Sequence, residues 1–375
     1  MMRILAVVGS TNRAGTETWL THLLYHLDHH SFQMDFLVHT DQKGAYDDKI
    51  VSLGGRIIPC LHPEKPWVYA RNFKRSLRCH GPYDIVHSHV HHFSGFVLRL
   101  ARQAGVPCRI AHSHLDTTLA QSQAGFLRRS YLALMQHWIN SYATDGLAAS
   151  RKAAIALFGL SWQKDPRWRV LYCGIDLQPF RLTSQAQAIR SDLGLAPDTL
   201  VIGHVGRFFE QKNHAMLVDI AQEIAKREEN FALLLIGDGP LRPAIENRVA
   251  QAGLTDKVIF LGLRDDVPRL MLGAMDVFLF PSLFEGLGLV LVEAQAAGVP
   301  CFISDVVPEE ADVVPQLVYR LSLSLPAFTW AEAVLSARRA KENISQPEAL
   351  GKVEQGPFNI LTSVRKLECV YQKRR

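Results

Sequence analysis

The chain has 375 residues, 48% of them hydrophobic, and a formal net charge of +5 at pH 7. It is long enough for two ordinary domains, and no apolar run approaches the roughly 18 residues that a membrane-spanning helix needs. The first apolar run is short and lacks a cleavage site, so we interpret it as a strand and not as a signal peptide. The six cysteines form no C-x-x-C pair, which predicts reduced thiols in a cytoplasmic protein.

Charge is divided unevenly along the chain. Residues 1–180 carry 20 Lys and Arg against 12 Asp and Glu, a net +8, whereas residues 181–375 carry 21 against 24, a net −3. Fourteen of the 16 histidines also lie in the first part. This asymmetry predicts two domains with different partners, the first facing an anionic surface or substrate. The net charge is modest and no nucleic-acid recognition module is present, so we expect no nucleic acid as a partner.

The first half alternates short apolar strands with helices. Residues 4–8 have the pattern of a strand buried in a parallel sheet. The polar loop after them, bounded by Gly9 and Gly15, is suited to cradle a phosphate or a sugar, although an ordinary turn explains it as well. It is neither G-x-G-x-x-G nor a P-loop, which disfavours a simple NAD or NTPase site. Further strands of this half are predicted at 34–38, 56–59, 83–89, 108–112 and 144–148.

Two predicted helices combine basic and aromatic residues. They span residues 66–80 and 124–142. Such helices can lie on an anionic membrane surface. The alternative is a solvated basic face whose aromatic residues belong to the core.

Histidines cluster after two of the predicted strands, in the patterns His87-x-His89 and His112-x-His114. These spacings can ligate zinc, but no cysteine or carboxylate nearby in the sequence completes a ligand set. We therefore predict no metal site. The histidines instead line a polar cleft and donate hydrogen bonds to sugar or phosphate oxygens.

The second half repeats the alternation of strands and helices. A buried strand at 199–206 leads to Arg207 and Lys212, two cations placed to clamp a diphosphate; the alternative is two solvated surface charges. Asn213 is the predicted N-cap of a helix over 214–227. Further strands are predicted at 231–236, 258–261, 277–280 and 301–305, and a last helix at 357–371. Residues 306–350 show no pattern that assigns their elements.

The stretch 280–300 combines a buried strand, a glycine-rich turn and a helix start. The first N–H groups of a helix lack intrahelical partners, so such a start can bind an anion. Glu285 and Glu293 lie on either side of it. This arrangement predicts a pocket for a phosphate whose attached groups carry hydroxyls, such as a nucleotide-sugar.

Taken together, these motifs resemble retaining glycosyltransferase family 4 over nearly the whole chain. The matching residues are Glu285-x7-Glu293, Arg207 with Lys212, Gly237-Asp238-Gly239 and Gly174-Ile175-Asp176. The resemblance is nearest to the bacterial exopolysaccharide and capsule branch, in residues 7–17, His87-Ser88-His89 and Ala111-His112-Ser113-His114. Cys173 departs from the pattern, because the family usually has asparagine there.

The resemblance implies an α/β protein with the GT-B fold, in which two Rossmann-like doubly wound domains face each other across a cleft. We predict an acceptor-side domain at 1–178 and a nucleotide-sugar domain at 179–355. The helix in 356–375 is expected to pack back on the first domain.

It also implies a role for each matching residue in the second half. Glu293 binds the ribose hydroxyls and Glu285 a hydroxyl of the donor sugar. Arg207 and Lys212 neutralise the leaving diphosphate, so that neither a metal nor a cofactor is needed. The backbone amides of Gly286, Leu287, Gly288 and Leu289 hold the distal phosphate, in a nucleotide-sugar site that also contains Gly206, Gly237 and Asp238.

In the first half, Gly15 lets its loop approach the donor or acceptor closely, and His112 or His114 lies near the reacting centre. Retention of anomeric configuration implies same-face attack, with Asp116 and Asp305 as the acids to consider for a rival covalent nucleophile.

The expected activity is transfer of a hexose from a UDP- or GDP-sugar to a lipid-linked or other glycan acceptor in exopolysaccharide or capsule biosynthesis. The expected location is the cytoplasm, peripheral on the inner face of the membrane. Two alternatives remain open: a GT-B enzyme with a soluble small-molecule acceptor, and a non-catalytic protein that binds nucleotide-sugars.

Overall fold

The computed structural model describes the chain except residues 119–120, 122–123, 183–185, 340–343 and 374–375. The chain forms two compact units, one of Met1–Gly174 with Ile360–Arg375 and one of Ile175–Asn359. The chain passes from one unit to the other between residues 174 and 175 and returns between residues 359 and 360. The sequence predicts these boundaries at 178/179 and 355/356. Among the described residues, no helix has the length and apolar character needed to cross a bilayer.

Unit 1 contains a seven-stranded parallel sheet. Its strands are β1 (Met2–Val8), β2 (Phe32–Val38), β3 (Ile57–Pro59), β4 (Ile85–Ser88), β5 (Cys108–Ser113), β6 (Asp145–Ala148) and β7 (Trp168–Val170). Its helices are α1 (Gly15–His26), α2 (Asp47–Ser52), α3 (Pro66–His80), α4 (Ser94–Gln103), α5 (Phe126–Tyr142), α6 (Arg151–Phe158) and, at the C-terminus, α14 (Ile360–Gln372).

The strand order of this sheet is β3-β2-β1-β4-β5-β6-β7. The order reverses between β1 and β4, which is where a doubly wound sheet leaves a crevice at the carboxyl ends of its strands. The loop with Gly15 follows β1, and His89 follows β4. The fold therefore brings the two predicted polar loops of this half to one edge of the sheet.

The C-terminal helix α14 belongs to unit 1 because it buries its apolar face there. Val364, Leu367 and Val370 are buried, and the helix contacts α1. Two hydrogen bonds add specificity: Trp19 Nε1 donates to Ser363 Oγ at 3.1 Å, and Tyr371 Oη lies 2.8 Å from His87 Nδ1.

Unit 2 contains a six-stranded parallel sheet. Its strands are β8 (Leu200–Val205), β9 (Phe231–Ile236), β10 (Val258–Gly262), β11 (Val277–Phe280), β12 (Cys301–Ser304) and β13 (Val318–Leu321). Its helices are α7 (Ala186–Asp192), α8 (His214–Ala225), α9 (Arg242–Gln251), α10 (Val267–Gly273), α11 (Leu289–Ala296), α12 (Ala327–Arg339) and α13 (Gln346–Gln355).

The order of the second sheet is β10-β9-β8-β11-β12-β13, so it too reverses direction, between β8 and β11. The inner strands β8, β9, β11 and β12 are almost wholly apolar and buried, as parallel sheets covered by helices require. The α/β class with two doubly wound units is thereby confirmed.

Three local features add to what the sequence predicts. Asn213 occupies the N-cap of α8 with a left-handed φ of 52° and makes no capping bond; its side chain donates to Pro281 O at 3.1 Å instead. Residues 306–350, for which the sequence shows no clear pattern, contain β13, α12 and the start of α13; residues 340–343 lie outside the described part.

Two of the three aromatic residues of α3, Tyr69 and Phe73, are fully buried, whereas Trp67 is exposed. Most of the aromatic side chains of this helix therefore pack in the core.

Candidate functional site

In unit 2, the predicted residues collect on the loops that follow β8 and β11. These strands are neighbours at the reversal of the sheet, so their carboxyl ends meet at one edge. The first loop carries Arg207 and ends in a 3-10 turn at Glu210–Lys212. The second carries Glu285 and leads through Gly288 into α11. The fold thus joins segments about 75 residues apart in the sequence.

The centre of this edge is an ion pair between Lys212 and Glu285. Lys212 Nζ lies 2.6 Å from Glu285 Oε1, and the two side chains are only 15% and 6% exposed. The lysine ammonium also lies over the Phe280 ring, 4.6 Å from its centroid. The sequence motifs assign Lys212 to the diphosphate and Glu285 to a sugar hydroxyl, and the structure shows that these two side chains also contact each other directly.

Gln211 and Asn213 hold the two loops together. No sequence motif singles out Gln211. The Gln211 side-chain amide donates to Phe284 O at 3.0 Å and to Glu285 Oε2 at 3.2 Å. Its backbone carbonyl accepts from Leu283 N at 2.8 Å. Glu285 therefore has protein partners on both carboxylate oxygens. The sequence signal that could have indicated this role is the position of Gln211 directly before the predicted cation Lys212.

Close packing of glycines shapes the bottom of the first loop. A Cβ atom on Gly206 would lie 2.8 Å from His204 Nε2 and 3.0 Å from Lys212 Cγ. Gly237 has a φ of +134°, and its Cβ would lie 2.1 Å from Gly206 O. Only glycine fits at both positions, because backbone and side chains occupy the space of a Cβ.

Glu293 lies on the second turn of α11, after Gly288 at the helix N-cap with a left-handed φ of 87°. The residue is half-buried, and the loss of solvation raises the pKa of its carboxyl from the ordinary 4.5 to about 7. Gly286 and Leu287 precede the helix and are buried. A group with this pKa changes its charge near neutral pH and can accept hydrogen bonds when it is ionised.

Arg207 and Asp238 extend from this edge with fewer contacts. The guanidinium of Arg207 is exposed and lies over the Phe209 ring, 4.8 Å from its centroid. Asp238 accepts from the backbone of Gly239 at 2.8 Å, in the loop after β9. Asp305 is exposed just after β12. The structure thus brings Lys212, Glu285 and the glycines into direct contact, while the Arg207 side chain stays available to a ligand.

In unit 1, four histidines form a continuous cluster at the ends of β4 and β5. His87 Nε2 lies 3.2 Å from His112 Nδ1, and His89 Nδ1 lies 2.9 Å from His114 Nε2. The Trp19 ring packs edge-on against His112, with 5.3 Å between ring centroids. Burial lowers the pKa of His87 and of His114 to about 3, so these imidazoles are neutral at physiological pH.

The two histidines predicted near the reacting centre differ in access. His112 is completely buried, whereas His114 is partly exposed. Cys173, which is 59 residues from His114 in the sequence, places its Sγ 3.7 Å from His114 Nδ1. The tertiary structure therefore brings a cysteine to the histidine cluster that is too distant in the sequence to be predicted there.

The remaining predicted positions of unit 1 lie around this cluster. Gly15 is the first residue of α1, and a Cβ atom there would meet nothing within 4 Å. Asp116 follows β5 in an exposed turn, where it accepts from Thr118 N at 3.0 Å. In the first turn of α5, Phe126 and Leu127 are 81% and 83% exposed, beside the exposed Arg128 and Arg129.

Two family models match the chain, each covering most of one unit. The model of the glycosyl transferase 4-like domain matches residues 14–174, and the model of glycosyl transferases group 1 matches residues 185–342. The matches divide close to the boundary between the units, so each sheet corresponds to one model.

Curated relatives extend over most of the chain. It is 40% identical over 341 residues to "Putative glycosyltransferase EpsF" of Bacillus subtilis (strain 168), covering 90% of this chain and 88% of that protein. It is 28% identical over 302 residues to the Escherichia coli UDP-Gal:alpha-D-GlcNAc-diphosphoundecaprenol alpha-1,3-galactosyltransferase, covering 77% of this chain and 75% of that enzyme.

Solved structures show the same fold. The Anabaena protein Alr3699/HepE in complex with UDP and glucose superposes with a TM-score of 0.83 at 18% identity, over 99% of this chain and 100% of that chain. Its complex with UDP-glucose superposes with a TM-score of 0.82. The predicted GT-B fold and the resemblance to family 4 are confirmed. The chain therefore belongs to the family 4 glycosyltransferases, in which a glycosyl transferase 4-like domain precedes a group 1 domain.

Proposed function

We propose that this protein transfers a hexose, with retention of anomeric configuration, from a UDP- or GDP-sugar to a lipid-linked glycan in exopolysaccharide or capsule biosynthesis. The observation that carries the proposal is the enclosed Lys212–Glu285 pair at the edge of β8 and β11, with the exposed guanidinium of Arg207 on the same loop. The Escherichia coli relative, by its name, uses UDP-Gal and a diphosphoundecaprenol-linked acceptor.

The two cations supply what breaking the sugar–phosphate bond requires. As the bond between C1 of the sugar and the phosphate oxygen breaks, negative charge grows on the diphosphate. Lys212 is held by Glu285 within a partly buried site, where a fixed charge stabilises that developing charge better than water does. In this proposal Arg207 and Lys212 make a divalent metal unnecessary for the transfer, so added chelator should not lower the rate.

The glutamates position the donor. Glu285 accepts a hydrogen bond from a sugar hydroxyl while it keeps its contact with Lys212, and ionised Glu293 accepts from the ribose hydroxyls. The amides of residues 286–289 hold the distal phosphate, and the glycines 206 and 237 with Asp238 line the nucleotide-sugar site. Because His112 is completely buried, we assign the sugar contact in unit 1 to His114, with Gly15 beside the donor or acceptor.

Retention follows from attack on the face that the leaving group vacates. The acceptor oxygen bonds to C1 as the bond from C1 to the phosphate oxygen breaks, and the acceptor proton passes to that phosphate oxygen. The step needs no covalent intermediate on Asp116 or Asp305.

A radiolabelled sugar-transfer assay with a lipid-linked acceptor tests the activity. The variant with Arg207, Lys212 and Glu293 all changed to alanine should lose transfer, and full activity in it would overturn the residue assignment. Tight nucleotide-sugar binding without turnover on many acceptors would instead favour a non-catalytic binding protein.

The start of α5 supports a membrane-bound acceptor. Two highly exposed apolar side chains, Phe126 and Leu127, lie beside two exposed arginines, the combination that inserts into an anionic interface. We propose that the protein is cytoplasmic and binds the inner face of the membrane through this turn and through Trp67 on α3.

Sedimentation with anionic vesicles tests the membrane contact. Changing Phe126 and Leu127 to serine should release the protein to the supernatant. Leu160→Ser is the matched control, because Leu160 is 86% exposed in the same unit but lies outside the basic turn. A wild-type protein that stays in the supernatant, and that transfers sugar to a small soluble acceptor, would favour the enzyme with a soluble acceptor.

A further inference from the structure

One largely buried group of side chains in unit 1 has the donor set of a transition-metal site. His112, His114 and Cys173 each offer a ligand atom, and these atoms lie within 4.8 Å of one another. The 3.7 Å between Cys173 Sγ and His114 Nδ1 is close to the roughly 3.6 Å that separates a sulfur and a nitrogen ligand around tetrahedral zinc, given Zn–S and Zn–N bonds of about 2.3 and 2.0–2.1 Å.

The hydrogen bonds among the four histidines leave one ring nitrogen of His112 and one of His114 in place to bind a metal ion. His112 uses Nδ1 toward His87, and its Nε2 is buried without a hydrogen-bond partner among the described residues. His114 uses Nε2 toward His89, which leaves Nδ1 directed to Cys173. In metalloproteins a ligating histidine commonly donates its other ring N–H to an outer partner, which fixes the tautomer. His87 and His89 occupy those outer positions here.

A buried polar nitrogen without a partner costs free energy, and the hydrogen bonds among the histidines do not remove this cost for His112 Nε2. A metal ion between the three ligands would satisfy it. Imidazole and thiolate ligands together select zinc among the abundant divalent ions.

We propose that His112, His114 and Cys173 form an inhibitory zinc site in unit 1. Binding replaces the thiol proton of Cys173 by the metal and leaves a fourth coordination position for water. The bound ion would occupy Nδ1 of His114 while Nε2 stays with His89, so neither ring nitrogen of this histidine could contact the sugar. The inhibition rests on the proposed function, whereas the metal binding does not.

Metal binding is tested with chelator-treated, untagged protein titrated with Co²⁺ and Zn²⁺. We expect one Co²⁺ per chain, tetrahedral visible bands, a thiolate-to-cobalt charge-transfer band in the near ultraviolet, and displacement of cobalt by zinc. Cys173→Asn introduces the residue usual in the family and should abolish the near-ultraviolet band. It should also weaken binding by more than the ~10- to 100-fold that loss of an outer partner costs.

Cys60→Ser is the matched control, because Cys60 is also a buried free cysteine of unit 1; it should bind like the wild type. Circular dichroism shows whether each variant is folded, and Cys173→Ser provides a second variant. Wild-type protein that binds no cobalt, or binds it without the sulfur band, overturns the site.

Inhibition is measured separately, as transfer activity against zinc concentration. Zinc should inhibit the wild type and the Cys60→Ser variant but not Cys173→Asn. Cobalt binding with the sulfur band but without zinc inhibition would uphold the metal site and overturn both the inhibition and the assignment of His114 to the sugar. Binding and inhibition without dependence on Cys173 would overturn the ligand set.

Discussion

At the scale of single residues, the contact between Lys212 and Glu285 links stability to activity. Lys212→Ala leaves an enclosed carboxylate without its cation, and breaking such a pair costs about 3–5 kcal/mol. We expect a clear loss in the free energy of unfolding by urea denaturation. Lys43→Ala is the control, because Lys43 and Asp48 form a pair of similar length whose side chains are 68% and 84% exposed; this change should leave the free energy of unfolding nearly unchanged, because water already screens the pair.

Removing both charges separates the two roles of this pair. Lys212→Met combined with Glu285→Leu leaves no unpaired buried charge, so it should be more stable than Lys212→Ala alone. Transfer should nevertheless be lost, because neither the cation nor the hydroxyl acceptor remains. A double variant that retains transfer would show that the pair has only a structural role.

Glu293 should make nucleotide binding depend on pH. With a pKa of about 7, the carboxyl is mostly protonated at pH 6 and mostly ionised at pH 8. If only the ionised form accepts both ribose hydroxyls, the affinity for UDP should rise up to roughly tenfold over this interval. Calorimetry at both pH values measures it. Glu293→Gln should bind more weakly and lose this part of the pH dependence; an unchanged pH profile would contradict the role of Glu293.

At the scale of elements, the glycines in the loops after β1 and β9 have different surroundings. Gly237 needs it for the fold, since its φ is positive and a Cβ would collide with Gly206 O. Gly15 has open space around it, so the fold itself does not require glycine there and the proposed requirement comes from the ligand. Substitution by alanine therefore distinguishes a structural glycine from a ligand-contacting one.

We expect Gly237→Ala to lower both the thermal midpoint and activity, by about 1–3 kcal/mol in the free energy of unfolding. Gly15→Ala should retain the wild-type midpoint and lose transfer. Thermal melts and the sugar-transfer assay, applied to both variants, provide the comparison. A fully active Gly15→Ala protein would show that this loop does not approach the donor or acceptor closely.

At the scale of the whole molecule, buried histidines should make the protein sensitive to acid. Burial lowers the pKa of His39 to about 4, of His92 to about 3 and of His214 to about 4. These values lie below the unfolded value of 6.5, so the unfolded state binds more protons as the pH falls. The stabilisation is complete above pH 6.5 and is lost toward pH 4, at up to about 1.4 kcal/mol per pH unit for each histidine.

Denaturant midpoints at pH 7.5 and pH 5 measure this effect. His214→Phe is the informative variant, because the ring stacks on Phe208 with 4.0 Å between centroids and both its nitrogens are buried without a hydrogen-bond partner among the described residues. Its charged and titratable neighbours are Lys212 and His204. The variant should lose less stability at pH 5 than the wild type does; an equal loss would show that His214 does not contribute.

The sequence by itself determined the alternation of strands and helices, the α/β class and the family, because these depend on patterns within a few residues. An apolar run such as residues 277–280, followed by a glycine turn, forms a strand and a loop wherever it occurs. For the same reason the polar loops after β1, β4 and β8 could be placed at the carboxyl ends of strands.

The tertiary structure alone decided which of those side chains touch. Lys212 and Glu285 are 73 residues apart, Cys173 and His114 are 59, and Tyr371 and His87 are 284. Their distances depend on the order and register of the strands and on the docking of the last helix. Those features follow from packing over the whole unit, which no local pattern encodes.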